Sequence, residues 1–211
     1  MQIRSQFNQA IKDGNVEEIK HLLKTSEFLS RRRPPFAGGS WLHYAAAHGT
    51  LDSVKCLIDL GFDVNDKATL EGDRPITRAA RRDTPDFVTL LLDHGAVLDT
   101  QTSVRNPLFS AIHAGCFDVA QVLLDAGIDT TVRYTAGSMT DMDATAFALR
   151  WGRTDMAELI AQKAAEQSGR TAEAVLERAR EVVRAEGPLQ PVQLVPEDAA
   201  EHESGDGPEN E

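Results

Sequence analysis

The chain has 211 residues, of which 41% are hydrophobic and 26% are charged, and its net charge is −11. This composition is sufficient for a packed interior, and the acidity argues against a nucleic-acid-binding protein, because phosphates would be repelled. Two cysteines, Cys56 and Cys116, are too few for a disulfide framework and fit a reducing compartment. The N-terminus lacks the apolar segment of a signal peptide and no run has membrane-spanning length, so we expect a cytoplasmic protein without membrane contacts.

A fragment recurs along the chain at nearly regular intervals. An alanine marks the same place in each copy, at Ala10, Ala45, Ala79, Ala111 and Ala148, with successive spacings of 35, 34, 32 and 37 residues. A near-constant period in this range predicts a stack of two-helix units rather than a globule with one central core. We therefore predict five helical pairs and a final capping helix, with no sheet larger than a turn hairpin.

Each copy predicts a short first helix, a turn and a second helix. Small alanines let the first helix lie close to its neighbours in the stack. Glycines follow, and we expect the chain to leave the helix there with positive φ, at Gly49, Gly115 and Gly152. An acidic residue opens each second helix, where it complements the positive end of the helix dipole. These residues are Glu17, Asp52, Asp86, Asp118 and Asp155.

In chain order, residues 4–27 are predicted to form a first unit that matches the repeat pattern poorly, and an insertion rich in arginine and proline follows at 30–39. Three regular units come next, and a long loop at 133–143 precedes the last one. Long loops in a compact array are more often functional than decorative.

The C-terminal region divides into a helix and a tail. Residues 171–186 place apolar side chains on one helical face, which predicts a helix that covers the end of the last unit; a separate partner-binding helix is the alternative. Residues 187–211 contain seven acidic residues, four prolines and no Lys or Arg. That composition predicts a disordered tail.

Several segments share one first-helix pattern: Ser40-Trp41-Leu42-His43-Tyr44-Ala45, Arg74-Pro75-Ile76-Thr77-Arg78-Ala79 and Asn106-Pro107-Leu108-Phe109-Ser110-Ala111. They resemble the Thr-Pro-Leu-His-x-Ala signature of the ankyrin-repeat family, and Gly61-Phe62-Asp63-Val64-Asn65 resembles its Gly-Ala-Asp-Val-Asn turn. A 34-residue tetratricopeptide stack is the alternative, but this turn has no place there.

The resemblance covers roughly residues 4–163 and extends to bacterial stand-alone members of the family. It implies an all-α ankyrin-repeat solenoid. We therefore predict a repeat domain at 1–168, which is followed by the capping helix at 169–186 and the disordered acidic tail at 187–211. The resemblance also implies that His43, in the family's histidine position, braces turns between repeats.

Few residues have side chains and spacings that indicate a reactive or metal-binding site. Cys56 and Cys116 are interpreted as small packed hydrophobes, although Cys116 begins a second helix, where a thiolate could be stabilised. Asp141-Met142-Asp143 resembles an Asp-x-Asp metal motif, but a solvated loop is the favoured interpretation. We predict no catalytic residue, no metal and no cofactor, and hence a protein that is not an enzyme.

Repeat geometry leaves the ends of the first helices and the loops before them free to bind on a concave face. The residues that we predict to bind a partner there are Arg33, Phe36, His48, Arg81, Arg82, Arg105, His113, Met142, Arg150 and Trp151. Of this set, we expect the following residues to be substantially exposed: Arg81, Arg82, Arg105, Arg150 and Trp151. Because guanidinium groups pair well with carboxylates, we expect an acidic protein surface as the partner.

These observations favour a non-enzymatic protein–protein interaction module, of which a bacterial immunity protein or an adaptor is a more specific version. The alternative is a regulatory subunit of an enzyme or an accessory domain to one. An enzyme would need a cluster of polar residues, which the sequence does not show.

Overall fold

The computed structural model describes residues 2–30, 39–68 and 72–186. In this part of the chain, helices follow one another in five pairs: α1 (Gln2–Asp13) and α2 (Val16–Thr25), α4 (Trp41–His48) and α5 (Leu51–Asp59), α6 (Pro75–Ala79) and α7 (Pro85–Asp93), α8 (Pro107–Ala114) and α9 (Phe117–Asp125), and α10 (Ala144–Arg150) and α11 (Thr154–Ser168). A short helix, α3 (Glu27–Ser30), follows the first pair, and α12 (Ala172–Glu186) follows the last. The predicted all-α stack is confirmed, whereas the predicted disordered tail at 187–211 lies outside the described residues.

The pairs are numbered as units 1 to 5, and they stack in two rows. The first helices contact one another in the order α1, α4, α6, α8, α10, and the second helices in the order α2, α5, α7, α9, α11. The alanines that mark the repeat are buried between first helices, with Ala45, Ala79, Ala111 and Ala148 fully covered. A methyl group at these places lets neighbouring helices approach closely, and larger side chains would force them apart.

Helix boundaries follow local chemistry. Asn15 accepts a hydrogen bond from the Glu18 backbone N–H, and Thr50 and Ser53 form a reciprocal capping box at the start of α5. Prolines occupy the first position of α6, α7 and α8, where no backbone N–H is needed.

Gly49 differs from the other glycines that end first helices. Gly115 and Gly152 have the predicted positive φ, but Gly49 has φ −87°, so the prediction is wrong there. A Cβ at Gly49 would lie 2.4 Å from Ser53 Oγ and 2.9 Å from Ile11 Cγ2. This glycine is therefore required by the close approach of unit 1 and α5, not by backbone conformation.

Polar side chains link adjacent units across each boundary, which we call a seam. Asn65 of unit 2 donates from Nδ2 to the Gly95 carbonyl of unit 3 at 2.8 Å and accepts from the Val97 N–H at 2.8 Å. Thr77 Oγ1 donates to the Arg105 carbonyl at 3.0 Å in the next seam. Gln167 Nε2 donates to the Ile128 carbonyl at 2.9 Å, so α11 is tied to the loop after unit 4.

His43 braces the seam between units 2 and 3. Its Nδ1 accepts a hydrogen bond from the Ser40 backbone N–H at 3.0 Å, and its Nε2 lies 3.1 Å from the Asp73 carbonyl oxygen. Because a carbonyl can only accept, Nε2 carries the proton and the ring is neutral. Burial is the main reason that the pKa of His43 is lowered below 6.5.

This histidine predicts a pH dependence of stability. Below about pH 6.5, His43 takes up a proton in the unfolded chain more readily than in the folded chain, where it is buried and neutral. The contribution of His43 to the free energy of unfolding should therefore be fully present above pH 6.5 and be lost as the pH is lowered. Urea unfolding at pH 7.5, 6.5 and 5.5 measures the effect. His43→Gln should flatten the profile over this interval. An unaltered profile in His43→Gln would contradict the assignment.

A hairpin and α12 complete the C-terminal end. Strands β1 (Tyr134–Ala136) and β2 (Met139–Met142) pair antiparallel just before α10, and α12 packs on α10, α11 and β2. The Arg178 guanidinium of α12 pairs with the carboxylates of Asp141 and Asp143. Asp143 also caps α10 by accepting from the Ala146 N–H at 2.9 Å, so this cluster fixes loop, unit 5 and α12 together.

Candidate functional site

Two residues of the predicted binding set are buried by α12. Met142 has no exposed surface and packs against Ala146 and Ala179. The Arg150 side chain is 8% exposed, and its Nη1 lies 2.5 Å from Glu186 Oε2 and 2.7 Å from the Ser138 carbonyl oxygen. The prediction that Arg150 is exposed is therefore wrong, because the last helix folds back over the end of α10.

Arg82 is engaged in a seam. Its Nη1 donates to the carbonyls of Gly49 at 2.8 Å and Ala46 at 3.3 Å, and its guanidinium lies 4.0 Å above the ring of Phe87. Burial lowers the pKa of Arg82. A cation at the C-terminal end of α4 satisfies carbonyls that the helix leaves unpaired. The expected exposure is wrong here as well: Arg82 holds units 2 and 3 together.

Arg105 is half-buried. Its Nη1 donates to Gln101 Oε1 at 3.1 Å, and its guanidinium lies against Gly72, where a Cβ would come within 2.8 Å of Nη2. Gly72 has φ +71°, which itself favours glycine. Arg33 and Phe36 lie outside the described residues.

The remaining predicted residues are exposed: His48, Arg81, His113 and Trp151. Within the described part of the chain, no hydrogen bond or ion pair engages the Arg81 guanidinium. The ring of His48 lies 4.9 Å from that of Tyr44, whereas His113 and Trp151 meet edge to face at 4.6 Å. The last two therefore join units 4 and 5 at the surface.

A cavity of about 430 Å³ crosses the first-helix row at units 3, 4 and 5. It is lined by Arg81, Ser103, Val104, Phe109, Ser110, His113, Met139 and Phe147. We call this cavity the groove, and we describe Trp151 as its rim residue because its ring contacts those of His113 and Phe147, which line the groove. One charged side chain, several apolar ones and two hydroxyl groups suit a ligand that is itself part apolar and part acidic.

Aromatic packing gives the groove its walls. The rings of Phe109 and Phe147 stack at 4.5 Å, and Tyr134 meets Phe109 edge to face at 4.9 Å. The Tyr134 hydroxyl donates to the Thr100 carbonyl at 2.7 Å and accepts from Asn106 Nδ2 at 3.0 Å, which anchors the hairpin on unit 4. Met139, the first residue of β2 in this hairpin, also lines the groove.

The sequence interpretation missed the aromatic character of this site. Phe109 and Phe147 stand among core residues of their first helices, and Phe109 is indeed 4% exposed. A usable sequence signal was Val104, an apolar residue that stands among polar ones in the loop before α8, and the structure leaves it 43% exposed. Large exposed apolar side chains near other aromatic groups indicate a recognition surface.

Other residues that the sequence singled out belong to the packing. Cys56 and Cys116 are both buried, in agreement with their interpretation as packed hydrophobes, and burial raises the pKa of both thiols. Asp141 and Asp143 are bound by Arg178. Across residues 2–30, 39–68 and 72–186, no three His, Cys, Asp or Glu side chains are grouped so as to hold a metal ion.

Comparison with known proteins agrees with this architecture. Residues 42–134 match the family model of ankyrin repeats in three copies. Two BTB/POZ domain and ankyrin repeat-containing proteins of Oryza sativa subsp. japonica, NH5.2 and NH5.1, are each 42% identical over 62 residues, or 29% of this chain. The chain spans only 13% of the length of either relative.

Residues 42–134 thus consist of ankyrin repeats, and the helical pairs on either side continue the same two-row stack. Ankyrin repeats generally mediate protein–protein interactions and are typically non-enzymatic. Of the helices in the described ranges, none combines the length and apolar character needed to cross a membrane.

Proposed function

We propose that the groove binds a segment of another protein that presents an apolar side chain beside acidic groups. The observation that carries the proposal is that Phe147 and Val104 line one cavity with the Arg81 guanidinium at its unit 3 side, and that the Trp151 ring contacts Phe147. Within the described residues, no hydrogen bond or ion pair engages that guanidinium. Tryptophan and arginine are the side chains that most often anchor interfaces. The proposed role is binding without catalysis, in the cytoplasm, as an immunity or adaptor protein.

The acidic preference now depends on fewer arginines than the sequence predicted. Arg150 and Arg82 donate to groups of the chain itself, whereas Arg81 projects from the end of α6. Apolar contact supplies most of the affinity in such an arrangement, and the charge contributes orientation and association rate.

Substitution in the groove should weaken partner binding. Trp151→Ala should lower affinity by about 2 kcal/mol, roughly 30-fold, because it removes an aromatic anchor. Arg81→Glu should reduce affinity by about tenfold and weaken its dependence on salt, since a screened attraction is replaced by repulsion. Proteins captured from the native source by the full chain and by these variants are compared by mass spectrometry, and the affinity of each candidate is then measured by calorimetry.

Matched controls lie on the second helices. Leu60 is 45% exposed at the end of α5, and Lys55 is exposed on the same helix. Leu60→Ala removes apolar surface as Trp151→Ala does, and Lys55→Glu reverses a charge as Arg81→Glu does, but both lie away from the groove. A partner whose affinity falls equally in groove and control variants, or in neither, would place the binding surface elsewhere.

A further inference from the structure

The described chain ends beside the groove. Arg150 Nη1 lies 2.7 Å from the carbonyl oxygen of Ser138, which directly precedes the groove residue Met139, and it pairs with Glu186, the last residue of α12, at 2.5 Å. Both members of this pair have side chains that are 8% exposed, so the end of α12 is fixed to the end of α10. Residues 187–211 therefore start from the unit 5 side of the groove.

The segment that follows has two blocks of different chemistry. Residues 188–196 contain three prolines and the apolar residues Leu189, Val192, Leu194 and Val195, without any charge. Residues 197–211 contain seven acidic residues and no Lys or Arg. Segments rich in proline are well suited to aromatic grooves, because their extended backbone loses little entropy on binding.

The order of these blocks matches the order of the groove. Aromatic side chains lie at its unit 4 and unit 5 side, at Phe109, Phe147 and Trp151, and the guanidinium of Arg81 lies at its unit 3 side. Adjacent packed helices are about 8–10 Å apart, so the path from α10 to α6 is about 20 Å. An extended chain rises about 3.1 Å per residue, so about seven residues cover that path. The uncharged block would thus cross the aromatic side chains and bring the acidic block to Arg81.

We propose that residues 187–211 occupy the groove of their own chain and compete there with an external partner. The attachment at Glu186 gives the segment an effective concentration in the millimolar range, so weak contacts are sufficient for occupancy. The acidic block complements the exposed arginine on a protein whose charge is otherwise also negative. The inference concerns the same groove as the proposed function, but its test needs no partner.

The test uses the full chain with a nitroxide label at Val192→Cys. Cys56 and Cys116 are buried, so the label attaches at position 192. The chain has two tryptophans, and the indole N–H of each gives a separate nuclear magnetic resonance signal. We expect the label to reduce the intensity of the Trp151 signal at least about twofold, as occupancy of half or more requires. Trp41 is buried three first helices away and donates its N–H to the Leu29 carbonyl at 3.0 Å, so its signal should be unchanged.

Two sets of further variants decide whether the contact is specific. The triple substitution Leu189→Ser, Leu194→Ser and Val195→Ser should restore the Trp151 signal, and Arg81→Glu should restore it in part. The matched control, Gln190→Ser with Gln193→Ser, should leave the loss of signal intact. Equal loss at Trp41 and Trp151, no loss at Trp151, or insensitivity to the triple substitution would overturn the proposal.

The outcomes separate this proposal from the proposed function. An unperturbed Trp151 signal, combined with loss of partner affinity in Trp151→Ala, would refute only the proposed contact between residues 187–211 and the groove. A perturbed Trp151 signal, combined with unchanged partner affinity in the groove variants, would refute the proposal that an external partner binds in the groove and leave the intramolecular contact standing.

Discussion

Trp41→Ala should destabilise the protein by about 4 kcal/mol, the largest effect that we expect from a single substitution. Trp41 is 1% exposed, its ring meets Phe7 edge to face at 4.8 Å, and its indole N–H donates to the Leu29 carbonyl at 3.0 Å. The side chain thus joins unit 1 and α3 to unit 2. Each unit contacts only its neighbours in a repeat stack, so loss of this side chain should release unit 1 before the rest unfolds.

Guanidinium unfolding followed by circular dichroism measures this effect, because the helical signal does not depend on the removed chromophore. Trp41→Phe is the informative control: it keeps an aromatic ring against Phe7 but leaves the Leu29 carbonyl without its donor. That variant should lose about 1–2 kcal/mol. A loss below about 1 kcal/mol in Trp41→Ala would show that unit 1 does not depend on this contact.

Arg178→Ala should destabilise the protein by about 3 kcal/mol, because it leaves two carboxylates without their cation. The Asp143 side chain is 9% exposed, whereas that of Asp141 is 53% exposed, so most of the effect should come from Asp143. Arg178 Nη2 also donates to the Asp141 carbonyl at 2.9 Å, which holds the residue before Met142 at a φ of +52°. Removal of Arg178 should therefore loosen the hairpin and α12 together.

Arg180 offers a matched comparison on the same helix. Its ion pairs with Glu173 and Glu177 connect side chains of α12 alone, and Arg180 is 42% exposed. Arg180→Ala should leave the free energy of unfolding nearly unchanged, because ion pairs between exposed side chains are screened by solvent. Urea unfolding of both variants measures the difference, and equal losses would refute the assigned role of the Arg178 cluster.

The helical rows could be predicted because their signal is local and repeated. The alanines at 45, 79, 111 and 148 and the acidic residues that open second helices recur in one frame, and all five pairs are present. The predicted positive φ at Gly49 was wrong because glycine is needed there for its close approach to Ile11 of another unit, and a local sequence pattern does not contain that contact.

The exposure of the arginines could not be predicted from the repeat pattern. Their positions at the ends of first helices were assigned from the repeat, but their partners come from elsewhere in the chain. Arg150 meets Glu186 from a helix that begins 22 residues later, at Ala172, and Arg82 meets the carbonyl of Gly49 in the preceding unit. The exposed fraction of a long cationic side chain is decided by such distant groups, whereas that of a core alanine is decided by the repeat itself.

The polar links across the seams have a consequence for how this surface can change over generations. Asp73, Arg105 and Ile128 all accept these hydrogen bonds through backbone carbonyls. A mutation at any of these acceptor positions therefore alters a side chain while the acceptor itself remains. Drift in the sequence of one repeat need not be matched by compensating changes in the next, and new specificities can be acquired one residue at a time on an unchanged frame.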